Sequence, residues 1–202
     1  MIKTATKRVN ILAAGVAALA LFASPATFAG KPDGPGQPGE LNIVEVAVAT
    51  NLAIGEFDNL LAAVGCFGPL NDNPVVDLLS GDDRLTLFAP TDEAFDALLA
   101  ALGISDPCDV DTALFPGALL TVLQYHITEG RRFANSVFNQ NGNSKELEML
   151  AGGNVISFIG EDGPTLHDNA GQMVGVVPPF ININASNGVV HVIDTVLIPL
   201  SP

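Results

Sequence analysis

Tryptophan is missing from this 202-residue chain, tyrosine occurs once, and basic residues are scarce: eight Lys and Arg against 22 Asp and Glu. So little positive charge excludes nucleic acid as a partner, because phosphate backbones are held by clustered Lys and Arg. It also makes a bare anionic membrane a repelling surface. Cysteine is limited to Cys66 and Cys108, and neither has a second cysteine or a histidine at metal-ligand spacing. No Gly-x-Ser-x-Gly elbow, glycine-rich phosphate loop or EF-hand run occurs, which removes common signatures of acyl transfer, nucleotide binding and calcium binding. The apolar run at residues 11–23 is closed by Pro25 and stops short of the roughly 20 residues that cross a bilayer.

Positive charge is present at the start. Lys3, Lys7 and Arg8 precede the apolar run, and small residues after Pro25 offer cleavage after Ala29 or Ala26. A basic start, a short apolar core and a small-residue exit read as a secretory signal peptide over residues 1–29. No cysteine near the exit offers a lipid acceptor, and residues 196–202 hold no apolar tail with a basic stop. The expectation is a protein free in the periplasm or the medium, with no membrane anchor after cleavage. Removing residues 1–29 leaves five basic residues against all 22 acidic ones, a net charge of −17, read as a solubilising surface rather than a cation site. In an oxidising destination Cys66 and Cys108 have one pairing open to them, and a disulfide between them is expected.

Residues 30–39 form a Pro/Gly linker with nothing to bury. Hydrophobic residues make up 48% of the chain and charged ones 15%, enough for a sizeable core, placed in one domain over residues 40–199. Ile43, Val46 and Ala47 mark one helical face, and Phe57, Leu60, Leu61 and Val64 a second helix that ends by Gly65. Residues 66–83 read as a loop with a short helix at 75–79. Residues 85–89 read as a strand stopped by Pro90, followed by a helix with Thr91 as N-cap and Asp92 and Glu93 in its positive first turn. Another helix is expected with Pro116 in its first turn and Leu119, Val122, Leu123 and His126 on one face. Short β-rich runs follow at 147–150, 155–159, 165–167, 173–177, 181–184 and 189–193. Helices first and strands later make the fold class α+β.

Three stretches, in order, resemble the fasciclin I-type domain. They are Thr86-Leu87-Phe88-Ala89-Pro90-Thr91-Asp92-Glu93-Ala94-Phe95, then Leu123-Gln124-Tyr125-His126, then Ser186-Asn187-Gly188-Val189-Val190-His191-Val192-Ile193-Asp194-Thr195-Val196-Leu197. The resemblance covers residues 40–199. It implies a β-sandwich-like wedge of about seven strands packed with several helices, and extracellular adhesion through protein or polysaccharide contacts at a cell surface or matrix. It also implies a partner-binding role for the Tyr125–His126 pair. Cys66, Cys108 and the polar loop at 71–83 depart from the family pattern.

The residues themselves set a second reading beside each of these. Thr86, Phe88, Pro90, Thr91 and Phe95 have the spacing of a strand turning into a capped helix, which suits fold-making. His126 lies on the apolar side of its helix and His191 within an apolar strand, where a histidine commonly bonds backbone. Asn187, Gly188 and Asp194 belong to the closing strand motif, with Asp194 placed to bond backbone at the strand exit. His126, His191 and Asp194 with Ser136 or Ser186 make a hydrolase set on paper, but no spacing fits a catalytic motif, so the chain is read as no enzyme, with no cofactor and no metal site. Asp106, Asp109 and Asp111 form an acidic loop, His167 reads as a hairpin-edge residue, and Asn184-Ala185-Ser186 matches a glycosylation sequon. The function expected is a secreted adhesion module. The alternative is a soluble periplasmic carrier of a small apolar ligand or metal ion, to be favoured by an apolar cavity reaching His126.

Overall fold

Helix α1 (Ile43–Ile54) starts where a capping box permits it. Asn42 Oδ1 accepts from the Glu45 amide at 3.0 Å, and the Glu45 carboxylate accepts from the Asn42 amide at 2.8 Å, satisfying two donors the helix leaves open. The computed structural model describes residues 40–69, 72–139, 143–160 and 163–199; the expected signal peptide and linker lie outside them, as does Asn71. Helix α2 (Asp58–Gly65) has no cap of its own. The Asp92 carboxylate, from the first turn of another helix, accepts from the Asp58 and Asn59 amides at 3.2 and 2.7 Å. Helix α3 (Pro74–Ser80) starts at Asn73, whose Oδ1 accepts from Val75 and Val76 while Nδ2 donates to the Val64 carbonyl at 2.8 Å. The expected loop after α2 is thereby tied down.

Strand β1 (Leu85–Pro90) leads into α4 (Asp92–Leu102), where Thr91 Oγ1 accepts from the Ala94 amide at 3.3 Å and Gly103 ends the helix at φ 71°. Pro90 remains in the ladder, opposite Ile193, one residue further than expected. The acidic loop is a 3-10 turn (Pro107–Asp109) and a short helix, α5 (Val110–Ala113). Helix α6 (Ala118–Gln124) begins two residues after Pro116, behind Gly117 at φ 85°. His126 falls beyond the helix end rather than on its face. A strand that sequence reading did not find, β2 (Ile127–Glu129), follows at once. After α7 (Ala134–Val137) come β3 (Lys145–Glu148), β4 (Asn154–Gly160), β5 (Gly163–His167), β6 (Met173–Gly175), β7 (Ile183–Asn184) and β8 (Gly188–Ile193).

The eight strands form two four-stranded sheets, ordered β2-β1-β8-β7 and β3-β4-β5-β6. The second is an antiparallel meander. In the first, β1 and β8 run parallel, with Leu87 beside Val190 and Phe88 beside His191. Bridges from Thr128 to Met149 and from Val176 to Ile193 join the sheets. Every residue of β1 and β8 is buried, which is what a central parallel pair covered on both faces requires. Leu85, Leu87, Val190 and Val192 face a core shared with the helices, α1 and α2 included. Phe88 and Ile193 face a second core between the sheets, with Tyr125, Phe138, Leu147, Leu166 and Leu197. The architecture is α+β.

Candidate functional site

The Tyr125–His126 pair closes α6 and turns into β2, and both side chains point into the protein, 0% and 1% exposed. His126 Nδ1 lies 2.7 Å from the Val122 carbonyl oxygen, and His126 Nε2 accepts from the Leu197 amide at 2.9 Å. A ring that donates from Nδ1 and accepts at Nε2 is neutral. Burial holds its pKa down at about 4, against the Val122 carbonyl and the Asp168 carboxylate, which both favour charge. The Tyr125 hydroxyl donates to the Asn154 carbonyl at 2.9 Å and accepts from the Asn169 amide at 3.2 Å. Burial raises its pKa; Asp168 adds to the rise and the Asn169 amide opposes it. Asp168 itself accepts from the Gln172 amide and the Ile198 amide, at 2.8 and 2.9 Å. Tyr125, His126 and Asp168 thus pin the β4 start, the β5–β6 turn and the segment after β8 to one another.

The remaining motif residues are spent in the same way. Thr86 Oγ1 donates to the Gly130 carbonyl and accepts from the Arg132 amide. Phe88 stacks on His191, ring centroids 5.6 Å apart. His191 Nε2 lies 2.9 Å from the Arg132 carbonyl and Nδ1 accepts from the Asn182 amide at 3.3 Å, again a neutral ring, its pKa lowered by burial against the Arg132 bond. Asn187 accepts from the Ile43 amide at 3.0 Å and donates to the Leu79 and Gly81 carbonyls at 2.8 and 2.9 Å, locking α1 and α3 to β8. Gly188 is required because a Cβ there would run into the Leu85 carbonyl and the Ile43 side chain. Asp194 accepts from the Gly175 amide at 2.8 Å, Phe95 is buried under α4, and Pro90 and Thr91 set the strand-to-helix corner. The hydrolase set does not assemble: both histidines bond backbone, not a serine or carboxylate.

Cys66 and Cys108 are joined, with Cα atoms 5.4 Å apart and a sequence separation of 42. Asp106 lies with the two sulfurs in a metal-like cluster, but disulfide sulfurs are not thiolates and do not ligate a cation. In the acidic loop, Asp106 Oδ1 accepts from the Cys108 amide and Asp111 accepts from the Gly117 and Leu119 amides. Those two carboxylates act as helix and turn caps. Asn184 of the sequon accepts from Arg131. His167 lies edge-on to Phe158 at 4.6 Å, in register with Ile156 and Met173 on the outer face of the meander.

Among the described residues, a crevice and two wider cavities bear on these positions. An apolar crevice of about 30 Å3 between α1, α2 and α3 has His126, Leu87 and Leu123 at its floor. Two wider cavities flank the end of β2. One of about 280 Å3 is lined by Glu129, Arg132, Glu148, Met149, Leu150 and Gly152, the other of about 410 Å3 by Leu78, Asp83, Arg84, Leu85, Glu129, Gly130 and Leu150. Sequence reading passed over Arg84, Arg132 and Asp168. For the arginines a signal existed: they are two of the five basic residues beyond residues 1–29.

The three motifs, the two joined sheets and the buried Tyr-His pair coincide with a family model: the fasciclin domain matches residues 66–199. The chain belongs to the fasciclin domain family. It is 33% identical over 162 residues to protein sll1483 of Synechocystis, across 79% of this chain and 74% of that one. It is 30% identical to the cell surface glycolipoprotein MPB83 of Mycobacterium bovis over 83% of this chain and 66% of that protein. The immunogenic protein MPB70 of the same species is 29% identical over 98% of both chains. A solved FAS1 domain pair from the insect cell adhesion molecule fasciclin I superposes with a TM-score of 0.53 at 19% identity, covering 71% of this chain and 45% of that one. This fasciclin domain therefore spans about half of that solved chain.

Proposed function

We propose that the chain is an exported, non-catalytic binding module that attaches to extracellular or cell-surface proteins or polysaccharides. The observation that carries this reading is where the family motifs spend their polar groups. Thr86, Tyr125, His126, Asn187 and His191 all bond backbone in the interior, so these five polar side chains are committed to the fold, which leaves recognition to the exterior. MPB83 is a cell surface glycolipoprotein and fasciclin I a cell adhesion molecule, which supports the same reading. Tyr125 and His126 then serve adhesion by holding segments in place. Mass spectrometry of secreted material should find a chain beginning near Gly30; an intact chain from Met1 in the membrane fraction contradicts export. Beads coated with the folded secreted chain should retain surface proteins or polysaccharides saturably, while beads coated with heat-unfolded chain should not. Equal retention by both contradicts the module.

The crevice that reaches His126 favours a second reading, a carrier for a small apolar ligand. Its volume, about 30 Å3, is far below the roughly 300–1,000 Å3 of small-molecule sites, so loading requires the crevice to widen. Solvent extraction of the purified protein decides: a stoichiometric apolar compound supports the carrier, and its absence together with no uptake of an apolar dye contradicts it.

A further inference from the structure

Arg84 opens β1 and Arg132 follows β2, and the two cavities they line adjoin at Glu129 and Leu150. Asp83, Glu129 and Glu148 share these walls. Five charged side chains of opposite sign thus face one groove, yet among the described residues none of them forms an ion pair. The hydrogen bond from Arg132 Nε to the Glu129 carbonyl oxygen, at 2.7 Å, orients one guanidinium and leaves its outer nitrogens open. In a protein carrying 22 acidic residues and five basic ones after signal removal, leaving two guanidinium groups unpaired beside three carboxylates keeps donors and acceptors available side by side.

A hydroxyl group both donates and accepts, so vicinal hydroxyls satisfy such a set, bridging guanidinium to carboxylate. Leu150 and Leu78, both only partly buried, give the groove apolar wall for the C–H faces of a ring. Adjoining cavities of about 280 and 410 Å3 together fall within the roughly 300–1,000 Å3 of small-molecule sites. A net charge of −17 over the secreted chain repels polyanions at long range, and the groove itself holds one more carboxylate than guanidinium. From this we infer that the Arg84–Arg132 groove binds a neutral polysaccharide segment. The inference rests on the binding-module reading and names its partner class. No aromatic ring lines the groove, so affinity depends on hydrogen bonds, and each guanidinium lost removes about tenfold.

The test is an amide NMR titration of the full secreted chain with neutral oligosaccharides of glucose, mannose and xylose, and with an oligouronate as the charged control. Saturable shifts are expected at residues 83–85, 129–132 and 148–152 with at least one neutral oligosaccharide. Arg84→Gln and Arg132→Gln should each weaken binding about tenfold at unchanged melting temperature. Shifts elsewhere, tighter binding of the oligouronate, no binding of any neutral probe, or wild-type affinity in both variants overturns the inference. The bead assay separates the two failures. If both glutamine variants coat beads that still retain surface material, the groove fails and the module stands. If no bead retains anything, the module fails, while the titration still judges the groove.

Discussion

At the scale of single residues, the histidines set a pH dependence. The neutral His126 ring donates to Val122 and accepts from the Leu197 amide; a protonated ring would turn a second N–H against that amide. Its folded pKa, about 4, lies below the roughly 6.5 of an unfolded histidine. The unfolded chain therefore binds the extra proton first, and stability is fully present above about pH 6.5 and falls as pH drops towards about 4. For His126 the loss amounts to about 3 kcal/mol at the acid end, and His191 adds in the same direction. Urea melts across this window should show a shallower pH slope in His126→Ala than in wild type, on top of a pH-independent loss of roughly 1–3 kcal/mol at pH 7.5; parallel slopes contradict the neutral buried ring. At Gly188, where a Cβ meets the Leu85 carbonyl and Ile43, alanine should cost about 3 kcal/mol, read in the same melts.

At the scale of elements, α1 is held by a few polar anchors and an apolar face. Asn187→Ala strips the Ile43 amide and the Leu79 and Gly81 carbonyls of a shared partner. Hydrogen exchange should then accelerate in α1 and α3 while β4 and β5 keep their protection; uniform acceleration contradicts local anchoring. The Cys66–Cys108 bridge joins the end of α2 to the 3-10 turn across 42 residues, a loop worth about 4 kcal/mol by chain entropy. Reduction should lower the denaturation midpoint accordingly, and an unchanged midpoint contradicts that estimate. These elements were unevenly legible in the sequence. Thr91 between a proline and two acids announces α4, and Phe57 to Val64 announce α2, because caps and apolar spacing are local. Strand β2 has three residues directly after a helix, too few for a period of two to register. The acidic loop hid its role because Asp111 caps a helix six to eight residues away in sequence. The α2 cap was unreadable for the same reason, since Asp92 reaches it from 33 residues downstream.

At the scale of the whole molecule, the family motifs build the interior, and among the described residues Arg84 and Arg132 line a groove of the exterior without an ion pair. The motif residues were readable because buried hydrogen bonds demand particular side chains at fixed spacing. The groove was not, since Arg84, Glu129, Arg132 and Glu148 meet only after β1, β2 and β3 pair. Substitutions in the buried motif and in the groove should therefore have separable effects. The most direct measurement is attachment of the secreted chain to immobilised surface polysaccharide and protein, taken for wild type, His126→Ala and Arg84→Gln/Arg132→Gln well below their melting temperatures. The account predicts that His126→Ala lowers the melting temperature and attaches like wild type once folded, while the double arginine variant melts like wild type and loses attachment. An unchanged melting temperature with lost attachment in His126→Ala, and normal attachment by the arginine variant, would contradict it.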